Sequence, residues 1–102
     1  MSNAVYYVSY KLKKEASIPD FLAAAEALNN EFISKQRGYI SWKQLTDGDT
    51  WVDMITFETM DDLKNFKTVS RNPSELAKKF YSFMNLSPSV CKVHAFSVER
   101  SY

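Results

Sequence analysis

Two side chains stand out as candidate bases. His94 is the only histidine of the chain, and its ordinary titration near neutral pH suits it to take a proton from a phenolic or enolic substrate. It shares strand parity with Lys92, Phe96 and Val98. No acid neighbours it in sequence to orient the ring, so a structural or surface role stands beside the catalytic one. Asp53 lies between Val52 and Met54 in an otherwise apolar run, with Trp51, Ile55 and Phe57 on its own face. Aspartate is disfavoured in strands, and a buried carboxylate must be hydrogen-bonded, paired or neutralised. Asp53 could orient His94, hold Arg71, or act as a base whose pKa is raised in an apolar cavity. The simpler alternative is a cross-strand ion pair with Lys43.

Around these bases the chain supplies aromatic side chains able to hold a flat ligand. Tyr6, Tyr7 and Tyr10, with Trp42 and Trp51, could line such a site, the phenols binding a carbonyl or phenolate and the rings stacking on the substrate. The same spacing serves a sheet core or a subunit seam equally well. Tyr81, in the segment after Pro73, could cover the pocket mouth if that segment lies over the sheet edge. Arg71 could bind an anionic group bidentately, or sit at a helix carboxyl end and interact with its dipole. One histidine is too few for a protein-held zinc or iron site, since Cys91 falls on the opposite strand face, so no metal is expected. Cys91 itself reads as a buried inert thiol. The two glycines, Gly38 and Gly48, leave no room for a glycine-rich phosphate loop.

The elements that must position these residues are legible in order. Ala4–Leu12 is a strand, with Tyr6, Val8, Tyr10 and Leu12 on one face and Val5, Tyr7, Ser9 and Lys11 on the other. A helix begins near Ser17, where Ser17 and Asp20 have capping-box spacing and Pro19 is tolerated in the first turn. Its stripe of Phe21, Ala25, Leu28 and Phe32 faces a core, and Lys35-Gln36-Arg37 before Gly38 marks its stop. Residues 39–45 and 50–57 are strands joined at Asp47-Gly48, a pair suited to a tight hairpin. In the first of them, alternation sets Tyr39, Ser41 and Leu45 opposite Ile40 and Trp42. Thr59-Met60-Asp61-Asp62 opens a second helix carrying Leu63 and Phe66. Pro73 interrupts it, and a further stripe runs through Leu76, Ala77, Phe80 and Phe83 or Met84. Residues 89–98 form the last strand.

This strand–helix–strand–strand–helix–strand order predicts an α+β, ferredoxin-like βαββαβ fold with a four-stranded antiparallel sheet. The first and third strands are central, and both helices lie on one sheet face. At 102 residues the chain is expected to be one domain, residues 1–102. Apolar side chains on both faces of the strands exceed what two helices can cover, which points to a homodimer packed through the free sheet faces. Thirteen basic and twelve acidic residues provide no basic surplus for nucleic acid. With no apolar run long enough to span a membrane and no export signal, a cytoplasmic protein is expected.

Three features give the chain a resemblance to the dimeric α/β-barrel superfamily, in particular its antibiotic-biosynthesis-monooxygenase-like domains. One is the helix ending at Arg37-Gly38-Tyr39 before a strand. Another is the strand ending at Thr56-Phe57-Glu58 that runs directly into the Thr59-Met60-Asp61-Asp62-Leu63 helix start. The last is the return strand from Val90 to Val98. The likeness covers about Val5 to Val98 and rests on layout. It implies a dimeric α/β barrel and, among the activities of such proteins, a cofactor-independent monooxygenase acting on a small aromatic or quinonoid molecule, with no cofactor. A noncatalytic ligand-binding or structural homodimer of the same fold is the alternative. Many of these domains carry Trp or Tyr where this chain has Phe57, and a histidine about ten residues on. Here Phe66 or Lys67 stands there, and with no histidine between Glu58 and Arg71 the haem-degrading branch does not fit.

Overall fold

The computed structural model describes residues 2–102. Its elements are β1 (Ala4–Leu12), α1 (Ile18–Glu31), a 3-10 turn (Ile33–Lys35), β2 (Tyr39–Thr46), β3 (Trp51–Phe57), α2 (Met60–Val69), α3 (Glu75–Tyr81), β4 (Met84–Asn85) and β5 (Lys92–Ser97). All pairings are antiparallel. The sheet runs β2-β3-β1, with β5 and the two-residue β4 both paired to the far edge of β1. The ferredoxin-like order expected from the sequence is the order observed.

Each helix starts where a hydroxyl side chain accepts the third backbone N–H beyond it: Ser17 from Asp20 at 3.3 Å, Thr59 from Asp62 at 3.1 Å and Ser74 from Ala77 at 3.2 Å. Such bonds satisfy donors that the first helical turn leaves free. The break at Pro73 therefore yields two separately capped helices rather than one bent one. α1 ends earlier than its apolar stripe suggests. Phe32 leaves helical geometry (φ −136°), and the following 3-10 turn carries Ile33 into the core.

Three further differences from the expected layout matter for the site. The β2–β3 register skips Ile40, which stays half-exposed, so Tyr39 pairs with Phe57 while Trp42 pairs with Ile55. This bulge adds one residue to β2, putting Tyr39 and Trp42 on the same, helix-covered face and Ser41 and Leu45 on the open one. The hairpin connection has four residues, as expected, but runs over residues 47–50, one position later than the expected 46–49. Asp47 Oδ1 accepts from the N–H groups of Asp49 and Thr50 (2.9 and 2.8 Å), and Gly48 supplies the positive φ of 99°. Met84, finally, is not part of a helix: after Ser82 the chain turns into β4 beside Leu12 and Lys11, burying Met84. The last strand is shorter than expected, at Lys92–Ser97.

The core lies between the sheet and the helices. At one end Phe21 is fully buried, stacked on Phe80 (centroids 5.2 Å apart) and edge-on to Trp51 (5.2 Å). At the other, Phe57 and Tyr6 pack on Phe66 at 5.2 and 5.5 Å. Gly38 holds the turn between α1 and β2 at φ 76°, and a Cβ there would run into the Asp62 carboxylate. That carboxylate accepts from Arg37 Nε at 2.7 Å. Gly38→Ala thus combines a left-handed backbone with a steric conflict, and is expected to cost about 1–3 kcal/mol. Denaturant unfolding measures it, and a loss within error of zero would contradict this account of the turn.

Candidate functional site

Strand parity sends Trp51, Asp53, Ile55 and Phe57 of β3 toward the helices, and all four are buried. Three are core residues in the ordinary sense. Asp53, at 4% exposure, is the one buried charged side chain among the described residues. It sits opposite Val8 on β1 and Gln44 on β2. Tyr10, opposite Trp51 and so diagonal to Asp53, reaches across the sheet and donates its hydroxyl proton to Asp53 Oδ1 at 2.8 Å. Such a diagonal is within reach of a long aromatic side chain.

Asp53 lies on the wall of a cavity of about 240 Å³ between sheet and helices. Tyr6, Val8 and Ile55 form part of its floor, Trp42 one side, and Leu28, Phe66 and Phe80 the helical side. Ile33, Tyr81, Met84, Leu86, Cys91 and Val93 complete the lining. Tyr81, Leu86 and Val93 are 36%, 55% and 47% exposed, which sets the mouth between α3 and the β5 edge.

The electrostatics follow from burial. Desolvation of the carboxylate raises the Asp53 pKa from 3.8 to about 6, against the smaller opposing influence of Tyr10, Trp42 and Gln44. Burial likewise pushes the Tyr6 hydroxyl up to about 12, and Tyr10 above the usual phenol range with help from the Asp53 charge. Tyr81 and Cys91 also rise, first through burial and then through Asp53. The phenols and the thiol are therefore neutral near pH 7, whereas Asp53 is largely ionised. The wall carries one negative charge in an otherwise uncharged, largely apolar space.

Two polar groups here are unpaired. The indole Nε1 of Trp42 and the amide Nε2 of Gln44 are buried and have no hydrogen-bond partner. Both approach Asp53 closely enough to favour its ionised form, yet neither closes a bond of normal geometry. Buried donors without acceptors are uncommon in folded proteins, and the acceptor that these two approach is the Asp53 carboxylate.

The sequence candidates divide between the two faces of the sheet. Asp53, Tyr6, Trp42 and Tyr81 line the cavity, and Tyr10 joins them through Asp53. Trp51 is buried against Phe21, in the core rather than at the cavity wall. His94 lies on the helix-free face: its neighbour Val93 points into the cavity, so His94 points away, against Tyr7 (6.1 Å) and stacked on Phe96 (5.3 Å). Tyr7 pairs with His94 on that same face. Arg71 is exposed in the turn after α2 and is not among the lining residues. Lys43 pairs with Met54 on the open face, so the Asp53–Lys43 ion pair is not formed. The residue opposite Asp53 is Gln44, which sequence reading missed. Counting back from a loop over residues 47–50 finds it, whereas counting from the expected 46–49 puts Trp42 there.

No protein-family profile and no curated protein sequence matches the chain. Solved structures do, at near-full length. The chain shares with them an α+β, ferredoxin-like fold. SnoaB of Streptomyces nogalater, a cofactor-independent oxygenase, aligns with a TM-score of 0.72 at 10% identity, over 99% of this chain and 97% of that one. The ActVA-Orf6 monooxygenase of Streptomyces coelicolor, solved with nanaomycin D, gives 0.67 at 16% identity (99% and 91%). The hydroxynitrile lyase of Passiflora edulis gives 0.65 at 20% identity (98% and 96%).

Proposed function

We propose that the protein is a cofactor-independent monooxygenase that oxidises a small phenolic or quinonoid substrate, with Asp53 as the base. The observation that carries this reading is a single buried carboxylate, with its pKa raised to about 6, on the wall of a largely apolar cavity open at one end. Structural neighbours named as a cofactor-independent oxygenase and as a monooxygenase support it. His94 and Arg71, far from that wall, take no part.

The chemistry balances on dioxygen alone. For a phenol such as 1-naphthol, Asp53 takes the hydroxyl proton, and the electron-rich para carbon of the naphtholate adds to dioxygen. The peroxide oxygen recovers the proton from Asp53. Loss of the remaining proton at that carbon, with departure of hydroxide, then gives 1,4-naphthoquinone and water. The carbon is oxidised and both oxygen atoms are reduced, one entering the product and the other leaving as water. Excluding water from the cavity strengthens every interaction with the developing charge. Oxygen uptake with 1-naphthol, matched mole for mole by quinone absorbance, tests the proposal. No uptake above that of a cavity-blocked Cys91→Trp variant would overturn it.

The noncatalytic alternative, in which this pocket only binds, predicts ligand affinity without oxygen uptake. In either case we propose that the helix-free sheet face packs on a second copy. That face presents Val5, Tyr7, Val52 and Met54, with Leu45 and Phe96 nearly half exposed, an apolar surface of the kind that marks a contact between proteins. Light scattering on the eluting peak is expected to give twice the mass of one chain. Lys substituted for Met54, at the middle of that face, should shift it toward a single chain. A monomer in the wild type at micromolar concentration would remove this part of the proposal.

A further inference from the structure

The break at Pro73 leaves a second space beside the cavity. α2 ends at Val69, and α3 starts from its own cap at Ser74, so no continuous helix fills the gap between them and the end of α1. A cleft of about 20 Å³ remains there, with Val69, Asn72 and Pro73 at its outer end. Its inner wall is Leu28, Ile33, Phe66 and Ala77, all buried and all apolar. The methyl group of Ala77 is small enough to leave the space open. Leu28, Ile33 and Phe66, together with Tyr81, also wall the cavity that holds Asp53. A single layer of side chains therefore stands between the two spaces.

Size and polarity limit what the cleft can hold. A void of about 10–15 Å³ is the least that admits a molecule as small as water, so this one takes a single small guest. Water also needs about two to four polar partners, and the inner wall offers no polar side chain. At the rim, the Ser74 hydroxyl is already engaged by the N–H of Ala77 at 3.2 Å. Dry apolar voids instead take up small apolar molecules and gases such as xenon. Dioxygen is such a molecule, and the reaction proposed above consumes it. A phenol seated against Asp53 has entered between Tyr81, Leu86 and Val93, and it obstructs that route for a second reactant.

We infer that the cleft beneath the α2–α3 turn binds a small apolar gas and passes dioxygen to the cavity while the substrate occupies the mouth. The delivery role rests on the monooxygenase reading above, whereas the binding of a gas does not.

Xenon is the first probe. Under xenon pressure the methyl cross-peaks of Val69 and Ala77 should move in the wild type, since both residues line the cleft and neither lines the cavity. Ala77→Leu fills the cleft and should abolish the movement of Val69. With 1-naphthol as substrate, the same variant should lower kcat/KM for dioxygen about fivefold. It should leave kcat at saturating dioxygen and the KM for 1-naphthol unchanged, the pattern of a slowed delivery step. Val69→Phe narrows the outer end at an exposed position and replaces Ala77→Leu in the kinetics if that variant does not fold. Xenon shifts confined to Val8, Ile55 and Val93, which line the cavity alone, would overturn the inference. An unchanged kcat/KM for dioxygen in the folded variants would do the same. Absence of oxygen uptake by the wild type removes the monooxygenase reading and the delivery role together, and the gas site then stands or falls on the xenon shifts.

Discussion

Asp53→Asn is expected to lower kcat for oxygen uptake by about 10²–10⁴-fold, the range that a positioned general base supplies. The substitution keeps shape and an acceptor for the Tyr10 hydroxyl but cannot take a proton. With a carboxylate pKa of about 6, wild-type kcat/KM should rise tenfold per pH unit below that value and level off above it. Tyr10→Phe adds a readout that a packing role would not produce. Removing a donor to the ionised carboxylate makes the charged form less stable, so the acid limb should move to higher pH while the plateau falls less than in Asp53→Asn. An unchanged limb would separate Tyr10 from the chemistry, and full activity in Asp53→Asn would end the assignment of the base.

The same carboxylate should make the fold unusual in its response to acid. Its folded pKa of about 6 lies above the ordinary value of 3.8, so the folded state holds the proton more tightly than the unfolded state does. Below about pH 3 the group is protonated in both states and contributes nothing. As pH rises through the window between the two values, the unfolded state ionises first and stability is lost. Above about pH 6.5 the full penalty applies, on the order of 3 kcal/mol. Ordinary paired carboxylates act in the opposite direction, so the clean measurement is a difference. Asp53→Asn minus wild-type unfolding free energy should grow by about that amount between pH 3 and pH 7, with the variant the more favoured at neutral pH. A difference that stays flat across the window would mean that Asp53 is better solvated than its 4% exposure implies.

The contrast between Asp53 and His94 shows what sequence could and could not deliver. Period-two alternation is a strong signal in β3, where every second residue is buried, and an aspartate on that face must be explained wherever it lands. Its inward direction was therefore readable. His94 also had a readable parity, but parity alone does not say which side of a strand meets the helices. In β5, where all six residues are exposed, burial leaves no periodic trace to decide it. Trp42 and Gln44 fall between these cases. Their partners on β3 depend on where the hairpin loop sits, and the face of Tyr39 relative to theirs on one extra residue at Ile40, two local backbone choices that hydropathy barely registers. Capping hydroxyls, by contrast, act through adjacent backbone and were legible at Ser17 and Thr59. The short β4 was not, because two residues recruited by β1 carry too little pattern of their own.

The cavity owes nothing to a dedicated loop at its deep end. Ile55, Phe66, Phe80 and Met84 wall it while also serving as the buried packing of the molecule. Any change that widens the deep end therefore trades away cohesion at the usual rate for core truncations, about 2–5 kcal/mol each. Tyr81, Leu86 and Val93 at the rim carry no such burden. Evolutionary drift toward new chemistry would therefore accumulate at the entrance, leaving the interior to set an upper bound on guest size across descendants of this chain.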